Sequence, residues 1–188
     1  MAEGITDELD SAEASLKVLQ QVVHGIGADD LTKQTPCREF DVAALTDHLL
    51  NSITLLGGAA GAQLPERDRD ESVEAQIIAA ARPTLDAWHR RGLGGTVPFG
   101  DHEALAQFMA AILPLEFLVH AWDYASAVGC PITAPDSLTD YVAALARRII
   151  TPEGRARAGF DDPVDVGAHA AKLDQLAAFT GRVPVSGS

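Results

Sequence analysis

Apolar residues recur every three or four positions along most of this 188-residue chain, and that interval is the α-helical one. Between residues 5 and 26 the repeat runs through Leu9, Leu16, Leu19, Val22 and Val23, and Gly25 and Gly27 supply a stop. Asp41 is placed to cap a second helix, whose stripe of Val42, Leu45, Leu49 and Ile53 runs to about Gly57. A charged linker over 65–70 leads to a third helix over about 72–91, in which Pro83 predicts a kink or a break. A glycine-rich connection around Val97 and Phe99 precedes a fourth long helix, expected from about 102 to 128 and kinked at Pro114. Shorter helices are expected over 137–150 and 168–180, and residues 185–188 read as a frayed tail.

Aromatics make up only 5% of the chain and Ala and Leu carry much of its apolar content, so little remains from which to build strands. The reading is all-α: one domain over residues 1–184, a four-helix bundle with additional short C-terminal helices, each helix burying one stripe.

A formal charge of −13 sets the chain against nucleic acid, whose phosphates would repel it. Two cysteines, Cys37 and Cys130, are too few for a disulfide framework. No apolar run approaches the ~20 residues that span a bilayer, and the N-terminus shows neither a basic nor an apolar leader region. The expected location is cytoplasmic, and the expected partners are small molecules rather than nucleic acid or membrane. A homodimer is compatible with a bundle.

Chemistry concentrates in two of the helices. Glu116 and His120 lie four residues apart, so on a helix they differ by about 40° in azimuth and about 6 Å along the axis and can reach one point. They share a stripe with Leu105, Met109, Ile112 and Val119, which places a carboxylate on an apolar face. An unpaired carboxylate there takes up a proton or requires a partner, and a divalent cation is a strong one. His48, three residues after Leu45, is turned inward on a different helix. Two imidazoles and one carboxylate are a common protein ligand set for a catalytic divalent metal, leaving positions open. The competing account is an inward histidine bonded to a carbonyl, with Glu116–His120 as a surface ion pair.

Asp123, three residues beyond His120, is placed either to accept a ring N–H from it or to bond backbone at the bundle edge. Trp122 reads as packing. Cys37, ahead of the second helix, is either a thiol activated by the helix dipole or a small buried turn residue. His24, His89, His102 and His169 lie in polar sequence and read as surface residues, while Arg147 and Arg148 are candidates for a substrate carboxylate.

The segment Thr35-Pro36-Cys37-Arg38-Glu39-Phe40-Asp41, followed by Leu45 and His48, resembles the opening motif of the DinB/YfiT-like metal-binding bundles. Within that superfamily it is similar to the metal-binding domain family related to mycothiol-dependent maleylpyruvate isomerase. Glu116-x-x-x-His120-x-Trp122-Asp123 resembles the family's second signature, and the stretches 160–164 and 173–184 resemble its C-terminal ending. Phe40 stands where the family more often has Trp, and Tyr124 where it more often has Leu. The resemblance implies a four-helix bundle with a divalent metal, zinc by default and nickel, iron or manganese as alternatives, on His48, Glu116 and His120. It further implies a metal-dependent transferase or isomerase using a thiol of the mycothiol type. The isomerase reaction itself is not carried over, because that enzyme has a second domain for which this chain has no length. The alternatives are a non-catalytic or stress-related bundle with a structural metal, and a metal-dependent hydrolase. A fourth protein ligand, from Cys37 or Asp123, would indicate a structural metal; an open site with apolar walls and a basic group would indicate a catalytic one.

Overall fold

Side-chain caps start the first three helices, at Asp41 as the sequence predicts and at Asp7 and Ser72 besides. Asp7 accepts the backbone N–H groups of Leu9 and Asp10 at the head of α1 (Glu8–Val23), at 2.8 and 2.9 Å. Asp41 accepts from Ala44 at 2.8 Å to open α2 (Val42–Ala59), and Ser72 accepts from Ala75 at 3.1 Å to open α3 (Val73–Arg91). The computed structural model describes residues 5–156 and 159–183, so the tail expected to fray at 185–188 lies outside the described residues. α3 continues through Pro83 without the break that residue predicted.

The main departure from the expected pattern lies between residues 96 and 111. Residues 102–105, read above as the start of a long helix, form β2 (His102–Leu105), which pairs antiparallel with β1 (Thr96–Phe99). Thr96 opposes Leu105 and Phe99 opposes His102, which leaves a two-residue turn at Gly100-Asp101. Gly100 takes φ of 59°, as the first position of such a hairpin turn requires. Leu105 matched the helical stripe by spacing alone and is exposed, so it is no part of the core. The fold is therefore mostly helical with a small two-stranded sheet, rather than wholly α.

Beyond the hairpin, the expected single helix is divided into α4 (Ala106–Ala110) and α5 (Ile112–Val128). Pro114 accounts for the division. Its ring conflicts with the carbonyl four residues back, at Ala110, whereas in the first turn of a new helix its missing N–H is harmless. α6 (Asp136–Ile149) matches expectation, and α7 (Lys172–Phe179) begins four residues later than expected from residue 168.

α5 is the axis of the molecule: from Leu113 to Ala125 every residue except Glu116 is buried. It packs against α1 and α2, and α3 packs against those same two helices from the other side. α6 and α7 cover the remaining flank of α5. One continuous apolar cluster runs from Leu9 on α1 to Ala177 on α7. No described helix is long and apolar enough to cross a membrane.

Candidate metal centre

His48 is carried by α2 one turn beyond the buried Leu45, and Glu116 and His120 stand one turn apart on α5. The packing of α2 on α5 brings the three together. Glu116 Oε2 lies 3.7 Å from His48 Nε2 and 3.6 Å from His120 Nε2, and the three donor atoms all fall within 4.8 Å of one another. These separations are too long for hydrogen bonds. They are near the spacing of neighbouring ligand atoms on a tetrahedral ion, about 3.4 Å for bond lengths of about 2.1 Å. Glu116 Oε2 is buried and has no hydrogen-bond partner. A buried carboxylate oxygen without a hydrogen bond, between two imidazole nitrogens, fits a divalent cation; the Glu116–His120 ion pair weighed from the sequence is also present, buried rather than at the surface.

The two histidines are oriented differently. The His120 side chain is 5% exposed, and its Nδ1 lies 2.9 Å from Asp123 Oδ2. That hydrogen bond places the Nδ1 proton toward the carboxylate and aims Nε2 at Glu116. The His48 side chain is 39% exposed and stacks on Phe40, with ring centroids 5.0 Å apart. The loop before α2 holds Phe40 in place: its N–H donates to the Cys37 carbonyl at 2.8 Å, and its own carbonyl accepts from Thr35 Oγ1 at 2.6 Å. Next to the centre, the Tyr124 hydroxyl and Thr46 Oγ1, 2.9 Å apart and buried, tie α5 to α2. Tyr124, where the resembling family more often has Leu, thus adds a polar cross-link as well as packing.

Electrostatics divide the groups further. Burial pushes the Glu116 carboxyl upward, but His120 and His48 outweigh it and hold the pKa below the ordinary carboxylate value. Burial likewise pulls His120 down, yet its hydrogen bond to the Asp123 carboxylate and the nearness of Glu116 raise it to about 9. His48 is lowered from 6.5, chiefly by burial, and is neutral at physiological pH.

Asp123 is wholly buried and does not join the three donors; of the two roles open to it, the structure places it beside His120. Its other partner escaped the sequence reading. Arg182, beyond α7, donates from Nη2 to Asp123 Oδ2 at 2.9 Å and from Nε to Oδ1 at 3.2 Å. The segment carrying Arg182 is fixed by a close approach at Gly181: a Cβ there would lie 2.6 Å from Asp161 Cβ and 2.8 Å from the Asp161 carbonyl oxygen. Arg155 secures both sides, donating to the carbonyls of Asp161 and Phe179 at 2.8 Å each. No local sequence signal pointed to this pairing.

The remaining candidates separate cleanly. Cys37 lines a cavity of about 280 Å³ beside the three donors but is not one of their cluster, and burial raises its thiol pKa rather than lowering it. Trp122 is packed, with its Nε1–H on Asp174 Oδ1 at 2.8 Å. Arg147 and Arg148 are exposed on α6 and do not line the cavity; Arg147 lies over the Phe179 ring instead. His24 and His89 pair with Glu74 and Glu13 at the surface, and His102 and His169 are exposed.

No family model matches the chain, and no solved structure matches it. Two uncharacterised proteins of Mycobacterium tuberculosis, from strains CDC 1551 and H37Rv, are each 26% identical to it over 178 residues. Each alignment takes in 94% of this chain and 98% of the relative.

Proposed function

We propose that His48, Glu116 and His120 hold one divalent cation, zinc by default, and that the chain is a DinB-like metal-dependent transferase or isomerase acting with a small thiol of the mycothiol type. The observation that carries the metal reading is the buried Glu116 Oε2 without a hydrogen-bond partner, 3.6 and 3.7 Å from two imidazole nitrogens. When bound, such an ion supplies positive charge that holds a thiol as thiolate or makes water more acidic. The chain's residues provide the rest. Asp123 keeps the His120 ring fixed with Nε2 forward, Phe40 holds the His48 ring, and Glu116 brings the compensating charge.

The catalytic reading is preferred to a structural metal because, among the described residues, no fourth His, Cys, Asp or Glu joins the donor cluster. A structural zinc closes its tetrahedron with protein ligands. The cavity beside the donors has apolar walls and one basic residue, Arg182, the arrangement expected of a site open to a substrate. The thiol assignment rests on the resemblance of the three sequence motifs.

The test is metal content of the untagged protein by plasma mass spectrometry, together with His48→Ala, Glu116→Gln and His120→Ala. About one ion per chain in the parent, and far less in each variant, is the expected result. A parent that stays metal-free after incubation with zinc or nickel would refute the reading.

A further inference from the structure

The walls around the donor cluster constrain what can approach it. Ile112 and Leu115 at the start of α5, Ile149 at the end of α6, and Phe40 and Phe160 from two loops enclose most of the cavity of about 280 Å³. The charged groups among its lining are Glu39 and Glu116, both acidic, and Arg182. Once an ion has taken up His48 and His120, Arg182 is the one side chain of that lining that could attract an anion, and it is already committed. Its Nε and Nη2 are both on Asp123, and Nη1 is 3.4 Å from the Thr180 carbonyl oxygen.

Charge balance points the same way. Arg182 and Asp123 cancel, and the two positive charges of a divalent ion would be matched by Glu116 and the thiolate of a bound thiol. With the ion's charge so matched, a further anionic group in the cavity would shed water against apolar walls and meet no other free cation among the described residues. A cationic one would meet the ion itself.

We propose that this cavity receives the uncharged, apolar end of a small molecule, and that the site discriminates against carboxylate-bearing ones. The inference rests on the metal reading above and adds to it the chemical class of the occupant. The donor end of that molecule faces His48, Glu116 and His120, while its hydrocarbon body lies along Ile112, Leu115 and Phe160.

The experiment uses zinc-loaded protein and calorimetric titration with matched thiols, so its readout is binding rather than turnover. The probes are the 1-alkanethiols from ethanethiol to pentanethiol, 3-mercaptopropionate as the anionic counterpart of butanethiol, and cysteamine as the cationic counterpart of propanethiol. Affinity should rise about fourfold with each methylene until the cavity is filled. The neutral member of each matched pair should bind about tenfold or more tightly than the charged one. Ile112→Ser and, independently, Phe160→Ser should flatten the chain-length dependence while keeping one zinc per chain. 3-Mercaptopropionate binding as tightly as butanethiol, or affinities indifferent to chain length, would overturn the proposal and leave the metal centre standing. Failure to load zinc at all would instead remove the metal reading and this inference with it.

Discussion

Replacing Arg182 by methionine keeps most of its volume and its apolar stem but leaves the Asp123 carboxylate with His120 as its remaining partner. Asp123 is 0% exposed and the Arg182 side chain 7%, so water does not take over the lost contacts, two hydrogen bonds at 2.9 and 3.2 Å. Breaking one side of a buried ion pair costs about 3–5 kcal/mol. For a chain of this length that lowers the melting temperature by roughly 6–20 °C. The measurement is guanidinium unfolding of metal-free protein followed by tryptophan fluorescence, since Trp88 and Trp122 are both buried. Asp123→Asn in the Arg182→Met background removes the stranded charge and should restore at least about 1 kcal/mol. The two substitutions are therefore coupled, and their separate effects do not add. A loss below about 1 kcal/mol for Arg182→Met, the range of a surface change, would refute the reasoning. It would mean that Arg182 is solvated and that the C-terminal segment does not close the back of the centre.

Three further expectations follow from the same geometry. Because the pKa of His120 is raised to about 9 and that of His48 is lowered, zinc uptake at pH 7.5 should release about one proton, from His120, measurable by calorimetry in buffers of different ionisation enthalpy. In the metal-free protein the stabilisation from protonated His120 is complete below its unfolded value of 6.5 and is lost as pH rises through about 9, so unfolding midpoints should fall over that window. Gly181→Ala forces a Cβ against the Asp161 backbone at φ of 91°, and should cost about 2 kcal/mol or more in denaturant unfolding while displacing Arg182.

What the sequence made legible was what periodicity and charge burial govern. α2 and its Asp41 cap followed from one apolar stripe and one side-chain acceptor, and His48 was visible because it interrupts that stripe. Glu116 and His120 were found the same way, as polar residues on the most apolar helix. The hairpin was not legible, because a four-residue strand ending in Leu105 satisfies a helical spacing as well as a strand one, and only pairing with Thr96–Phe99 decides between them. Arg182 was invisible for a different reason. Its significance lies in a partner 59 residues away, brought near by the close approach of Gly181 to Asp161, and no local pattern encodes such a meeting.

The three donors are divided unequally along the chain: Glu116 and His120 sit one helical turn apart, whereas His48 precedes them by more than sixty residues. An unfolded chain keeps only the local pair as a chelate, and must close a long loop to recruit the third donor. An ion bound there therefore discriminates strongly between folded and unfolded chains, and nearly all of its binding free energy appears as resistance to unfolding. At a free ion concentration about one hundred times the dissociation constant that resistance is roughly 2.7 kcal/mol. If the proposed ion binds, the supply of metal in the surroundings becomes a quantity that sets how much of the protein stays folded.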